Sequence, residues 1–227
     1  NRSDDARRND WSAKSGIQKW TTNLVGIGIG ARFDRITSKA RRTVIADLFW
    51  KFRQQSDADG VLSLDGQQTL GVSTWLAKGE VFIRERPRDL TLPLEIPVQF
   101  QMLEPEFCPL FDADSWPGLP VGNRIRQGIE LNRYDRRIAY WMHKEHPGEG
   151  TLGHMPTESN LVRVAASEVW HMFEPDRPGA LRGVSILAPV LIRLRSTGDF
   201  EDAVLDRQKL ANLFVSFITR TLPEAQW

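Results

Sequence analysis

Val169-Trp170-His171-Met172-Phe173-Glu174-Pro175-Asp176-Arg177-Pro178-Gly179-Ala180-Leu181-Arg182-Gly183-Val184 is the stretch on which the reading of this chain turns. Residues from Val162 to Phe173 have strand character, and beyond Pro178-Gly179 the pattern becomes helical. Gly179 and Gly183 therefore bracket a turn that carries the chain from sheet to helix, with a positive φ expected at Gly183. Arg177 and Arg182 are placed to bond backbone carbonyls or an acidic neighbour, and His171 to hydrogen-bond within the sheet. Contact with another subunit is the second role open to these residues.

Strands precede this turn. Val81-Phe82-Ile83 reads as one, and Val98, Phe100 and Met102 alternate with Gln99 and Gln101 as in a half-buried strand. Ile125, Ile129 and Leu131, then Ile138, Tyr140 and Met142, flank the polar Asn132-Arg133-Tyr134-Asp135 in a hairpin pattern. Residues 104–122 and 145–160 are rich in Pro and Gly and read as loops.

Helices occupy both ends. Over residues 4–25, Ala13, Ile17, Trp20 and Leu24 form one apolar stripe, which Gly26, Gly28 and Gly30 bring to an end. Trp11 lies about 180° around the helix from Trp20. Trp20 is thus expected in the core, where truncation to Ala would cost about 3 kcal/mol, and Trp11 outside it. A second helix is expected over 36–54, with Val44, Ile45, Leu48, Phe49 and Phe52 inside and Arg41, Arg42, Lys51 and Arg53 outside. A third opens at an Asp65 N-cap with Gln68 three residues on, and Lys78-Gly79 stops it after Ala77. Ile186 to Leu194 is apolar enough for a buried helix with Pro189 in its first turn. Asp199 is expected to cap a last helix with Phe200, Ala203, Val204, Ala211, Phe214 and Ile218 inside, acidic residues at its start and Arg220 at its end. The order is helices, a mostly antiparallel sheet, then helices: an α+β fold. It divides into an N-terminal helical segment (1–57), a mixed domain (58–184) and C-terminal helices (185–227).

With 30 basic and 29 acidic residues, the 227-residue chain lacks the basic excess of a protein that grips DNA. The balance is uneven, because residues 1–57 carry 12 Lys/Arg against 6 Asp/Glu. Solvated helix faces explain this, as would a surface meeting an acidic partner or a neighbouring subunit. The single Cys108 excludes an internal disulfide and has no basic neighbour in sequence to activate it. No apolar run approaches the about 20 residues of a membrane span, and the polar opening has no signal-peptide pattern. Eight tryptophans, Trp11, Trp20, Trp50, Trp75, Trp116, Trp141, Trp170 and Trp227, suit a core or broad subunit interfaces.

Candidate chemical motifs are weak. Gly26-Ile27-Gly28-Ile29-Gly30 follows a helix and lacks the spacing of a nucleotide loop. His143 and His146 would point to opposite faces of a strand, and His154 and His171 are far from the one cysteine, so no zinc set forms. Asp57-Ala58-Asp59-Gly60 and Asp112-Ala113-Asp114-Ser115 read as turns, neither continuing to the acidic residue a calcium loop needs. No nucleophile motif is present.

Gly128-Ile129-Glu130-Leu131-Asn132-Arg133-Tyr134-Asp135-Arg136-Arg137-Ile138-Ala139-Tyr140-Trp141 resembles a hairpin of the lambda-type tailed-phage portal family, which ends in a His-Pro element, here His146-Pro147. The run 169–184 resembles that family more specifically, with hydrophobic-His-x-Phe followed by Arg-Pro-Gly-x-x-Arg-Gly. Ala180 stands where the family has Gln, while the glycines and Arg182 remain. The similarity extends to the N-terminal helix, to Trp75-Leu76-Ala77-Lys78-Gly79-Glu80-Val81-Phe82, to Leu187-Ala188-Pro189-Val190-Leu191, to Asp199-Phe200-Glu201-Asp202-Ala203, and to Phe214 and Phe217-Ile218-Thr219-Arg220.

The resemblance implies the wing region of a portal subunit with its first stem helix, the clip, channel-loop and crown regions falling outside this chain. It implies a dodecameric ring at one capsid vertex of the virion, assembled in the bacterial host cytoplasm. Such a ring docks the terminase motor, passes double-stranded DNA during packaging and ejection without reading its sequence, and carries the head–tail connector. Its partners are other copies of itself, major capsid and scaffold proteins, terminase and connector proteins, with no membrane. It implies no enzyme, no cofactor, and no catalytic or metal-binding residue. Near-neutral charge suits a conduit, since many tight phosphate contacts would oppose sliding. A ring also needs two different complementary faces on each subunit. Two other classes stay open. A carboxylate-dependent hydrolase or nuclease would converge three or more acidic or His side chains in one pocket, and a monomeric adaptor would show a single exposed apolar groove.

Overall fold

The computed structural model describes residues 2–148 and 156–221, with side chains described as far as Leu213. His154 and Trp227, and the side chains of Phe214, Phe217, Ile218, Thr219 and Arg220, lie outside the described residues.

The expected first helix is two helices, α1 (Arg2–Asn9) and α2 (Trp11–Val25). Asp10 divides them because its backbone is extended and its carboxylate accepts the Ala13 N–H at 2.9 Å, as an N-cap does. The buried stripe of α2 is Ala13, Ile17 and Thr21, at strict four-residue spacing. Trp20 and Leu24 flank that stripe and stay exposed, so the expected core role of Trp20 does not hold.

Helix α3 (Lys39–Gln55) is capped by Ser38, and none of its residues is buried. Leu48, Phe49 and Phe52 are half-covered, Phe49 by Phe33 and Phe52 by Phe100, whereas Val44 and Ile45 face outward. Helix α4 (Leu64–Lys78) starts two residues earlier than expected. Its N-cap is Ser63, which accepts the Gly66 N–H, and Asp65 instead pairs with Arg53 at 2.5 Å. Gly79 ends α4 in the left-handed conformation, φ 94°, donating its N–H to Trp75 O.

The expected single sheet is two antiparallel sheets. In chain order the strands are β1 (Glu80–Pro87), β2 (Val98–Leu103), β3 (Arg124–Arg126), β4 (Ile129–Leu131), β5 (Arg137–His143), β6 (Leu161–Ala165) and β7 (Val169–Phe173). One sheet has the order β2-β1-β7 and the other β3-β4-β5-β6. The apolar run 125–131 breaks into β3 and β4 because Gln127 and Gly128 both take positive φ, the geometry of a two-residue hairpin turn. Val162–Phe173 likewise splits into β6 and β7, which belong to different sheets and are joined by a short 3-10 turn, Ala166–Glu168.

The main core lies between the sheets, where Phe82, Leu103, Ile129, Tyr140, Met142 and Val164 meet. Trp141, on the other face of β5, packs with Ile125 and Leu161 under Phe111 and Trp116. A second core joins α2 to α4 through Ala13, Ile17, Leu76 and Ala77, closed by Leu187.

Leu187 is the one buried residue of the expected 186–194 helix. Residues 186–190 form turns, and α5 (Leu191–Thr221) then runs unbroken through Asp199, which is therefore no cap. Nothing before Asp199 stops a helix, since Gly198 only weakens one. The expected inner face of α5 is exposed at Phe200, Ala203, Val204 and Ala211.

Gly183 does not adopt positive φ. It is glycine because a Cβ there would strike the Gly79 carbonyl and lie 2.8 Å from the Phe173 Cβ. Gly183→Ala is expected to cost about 3 kcal/mol through overpacking against backbone. Gly60→Ala, at φ 70° in open space, should cost about 1 kcal/mol from backbone strain alone. Urea midpoints of the two variants check this, and equal midpoints would refute the close approach.

Candidate functional site

β1 begins where α4 ends, and its register sets Phe82 opposite His171 and Glu80 opposite Phe173. Glu80 and His171 are thus diagonal neighbours on one face of the sheet. The Glu80 carboxylate is buried, and four donor groups hold it. Arg182 approaches Oε1 with Nε at 2.7 Å and Nη2 at 2.6 Å, while His171 Nε2 and the Gly183 N–H reach Oε2 at 2.9 and 3.0 Å. Arg182 spends its remaining donors on the carbonyls of Pro105, Cys108 and Gln127.

His171 is sandwiched between Phe82 and Phe173. Its Nδ1 faces Arg137 Nη1 at 3.0 Å. An arginine only donates, so Nδ1 accepts and Nε2 carries the proton given to Glu80. The imidazole is therefore neutral, and burial, helped by Arg137 and Arg182, holds its pKa below the ordinary 6.5. Burial pushes the Glu80 carboxyl up, but hydrogen bonds from His171 and Arg182 outweigh it and leave the pKa below 4.5. Arg137 also donates to the carbonyls of Ala180 and Leu181.

A second cluster lies beside the first. Lys78, the last residue of α4, is buried and bonds Glu104 at 2.9 Å and Glu106 at 3.1 Å, with Asp4 at 3.7 Å. Burial lowers the Lys78 pKa, and Glu104 and Glu106 together raise it beyond that effect. Three carboxylates converge on this one ammonium, and two of them have further partners: Asp4 pairs with Arg7 and Arg8, and Glu104 bonds His146. In the other sheet, Glu130 is fully buried and takes a two-pronged bond from Arg163, at 2.7 and 3.0 Å, plus Asn123 at 2.6 Å.

The sequence candidates take structural places. His171 bonds within its sheet, and Arg182 bonds carbonyls and an acidic neighbour; both converge on Glu80, while Arg177 lies exposed. His143 ends β5 and is buried, and His146 bonds Glu104 at 3.2 Å. Asp57 accepts the N–H groups of Val61 and Leu62 and so builds the 57–60 turn, and Asp112 accepts the Gln127 N–H. Among the described residues, no group of three or more His, Cys, Asp or Glu is placed to hold a metal ion. Cys108 is buried, which pushes its thiol up to about 12. Gly26 to Gly30 is the exposed exit of α2, tied to α4 by the bond from Ile29 N–H to Gln68. No described helix is long and apolar enough to cross a membrane. Sequence reasoning missed Glu80 and Lys78 as members of these clusters, although both lie within the quoted stretch 75–82.

Apolar side chains left uncovered mark the other candidate surfaces. Trp11 is 72% exposed and Trp20 58%, on opposite sides of α2. Val44 and Trp50 of α3 are also exposed, as are Ile192, Phe200, Leu205, Leu210 and Leu213 of α5.

A family model described as phage portal protein, lambda family, matches residues 1–227. The chain belongs to the lambda family of phage portal proteins. It is also 31% identical over 144 residues to a probable portal protein of Halomonas phage phiHAP-1. That match takes in 63% of this chain and 26% of the relative, so the chain spans about a quarter of the relative's length. The three stretches that resemble portal sequences most (75–82, 128–141 and 169–184) supply Glu80, Arg137, His171 and Arg182. In this portal chain they interlock through the buried charges.

Two outcomes follow from the geometry. Arg182→Lys should lose about 2 kcal/mol or more, because one ammonium cannot reach Glu80 and three carbonyls as a guanidinium does. A denaturant midpoint equal to that of the unaltered chain would show that the fork is not needed. The second outcome concerns pH. His171 has its folded pKa depressed, so its contribution is full above 6.5 and is lost as pH falls from there toward the folded pKa. The Glu80 contribution follows the same sign at lower pH, below 4.5. Stability should therefore decline between pH 7 and 5, and His171→Gln, though less stable throughout, should flatten that decline. Parallel pH profiles for the two proteins would refute the neutral imidazole.

Proposed function

We propose that this chain is the wing part of a subunit of a dodecameric portal ring at the capsid vertex, with α5 leading toward the stem. The ring serves as the conduit for DNA packaging and ejection. It docks the terminase motor and the tail connector, sits against major capsid and scaffold proteins, and assembles in the host cytoplasm before it becomes part of the virion. The division at residues 57 and 184 is proposed on the same basis.

The observation that carries this reading, beyond family membership, is the exposure of Trp11 and Trp20 on opposite sides of one helix. Each indole ring offers a large apolar surface of the kind that interface cores are enriched in. A subunit in a cyclic ring meets one neighbour with one face and the other neighbour with a different face. A monomeric adaptor needs one groove, and the exposed apolar surface here is divided among α2, α3 and α5. We further propose that the protein acts without catalysis. The buried carboxylates Glu80 and Glu130 are each held by an arginine and so are not free to act as acid or base.

Negative-stain micrographs of the full-length protein should show closed rings. Trp11→Ala and Trp20→Ala should each leave the denaturant stability of the fold within about 1 kcal/mol, as surface substitutions do, while reducing ring yield in sedimentation. Normal rings from both variants would remove α2 from the interface, and full-length protein that stays monomeric would overturn the ring itself. A nuclease or ATPase activity that tracks the purified chain and vanishes with one carboxylate would overturn the absence of catalysis.

A further inference from the structure

An open cleft of about 520 Å³ lies where α1, α2 and α4 meet. Arg7, Arg8, Lys14, Gln18, Thr21 and Ser73 line it, and no carboxylate among the described residues does. The two arginines are steadied from outside the lining by Asp4, which bonds Arg7 at 2.9 Å and Arg8 at 3.1 Å. Asp4 offsets one of the three positive charges, and each guanidinium keeps donors beyond the nitrogen that Asp4 takes. The three cations of the cleft belong to residues 1–57, which hold 12 of the chain's 30 basic residues.

Thr21 supplies an independent observation. It is 4% exposed, and its Oγ1 is buried without a hydrogen-bond partner. A buried hydroxyl left unpaired is destabilising, and folded proteins rarely keep one without a reason. Thr21 is part of the cleft wall, so a ligand oxygen there would give its hydroxyl a partner. A lining that, apart from Ile17, consists of cations, an amide and hydroxyls able to donate suits a tetrahedral oxyanion.

We infer that this cleft is a phosphate-binding site, in which Arg7, Arg8 and Lys14 supply charge and Thr21, Gln18 and Ser73 supply neutral donors. The shared chemistry is a phosphate group, carried by a DNA backbone or free in solution. The site belongs to the chain itself and does not depend on ring formation.

The test is a titration of the 227-residue chain with inorganic phosphate, replacing chloride at constant ionic strength and following backbone amide resonances. Thr21, Thr22 and Ser73 should shift and saturate. Lys14→Ala should weaken binding roughly tenfold, the loss of one charge-assisted hydrogen bond. Thr21→Val should weaken it roughly threefold, the share of a neutral hydroxyl, without lowering the melting temperature. Lys19→Ala, outside the cleft lining, should change neither. A short DNA duplex forms the second arm. Shifts of the same amides, in competition with phosphate, make the phosphodiester backbone the source, and shifts with phosphate alone make it free phosphate. No response beyond that of chloride, or unaltered binding by Lys14→Ala or Thr21→Val, would overturn the site.

Discussion

A carboxylate removed from water must be neutralised where it sits, and Glu80 meets this requirement with donors from two distant parts of the chain. Arg182 is 102 residues away and His171 is 91, so the pairing closes only when the sheet and the turn after it are both in place. Breaking a buried pair of this kind by removing one partner leaves an uncompensated charge, which is strongly destabilising. The same arginine anchors the loop at Pro105 and Cys108 and the β3–β4 turn at Gln127. The Glu80–Arg182 contact thus ties the start of β1 to the turn after β7, to the loop at Pro105 and Cys108, and to the second sheet's first hairpin.

The two glycines beside it follow from the same closeness. Gly79 and Gly183 pass backbone against backbone, and a Cβ on Gly79 would strike Val184 as one on Gly183 would strike Gly79. Such an approach brings the Gly183 N–H within 3.0 Å of the carboxylate. Charge and sterics therefore specify one arrangement. Ser185 continues it, giving its hydroxyl proton to Leu76 O and accepting the Leu187 N–H, which seats Leu187 on the helical core.

Local pattern was legible wherever one neighbour decided the outcome. The α+β class, the end of α4 at Lys78-Gly79, the alternation of β2 and the β4–β5 hairpin all follow from short-range signals. The Trp20 position did not, because Ala13 and Ile17 fit a stripe continuing to Trp20 or one continuing to Thr21, and α4 packs against the second. Asp199 has the residue type of a cap but not its backbone, and only the continuous helix from Leu191 reveals that. The buried charges were half visible. The sequence of residues 169–184 points Arg182 to carbonyls or an acidic neighbour and His171 to a partner within the sheet, yet nothing local there identifies Glu80. That partner comes from register, which no periodicity in either stretch encodes. Resemblance to portal proteins marked all three participating stretches without showing that they touch.

The distribution of satisfied and unsatisfied surface separates two kinds of stability in this molecule. The sheets enclose the largest core, and their buried carboxylates are paired within the chain. The helices are different. α3 has no buried residue, α2 leaves two tryptophans in water, and α5 extends 31 residues with apolar side chains exposed along its described length. Helices gain most of their stability from packing an apolar face, and among the described residues the outward apolar side chains of α2, α3 and α5 find no cover. A subunit built this way keeps a rigid, charge-locked centre and leaves its helical surfaces for neighbours. In the ring proposed above, those surfaces are the ones that adjoining copies would cover.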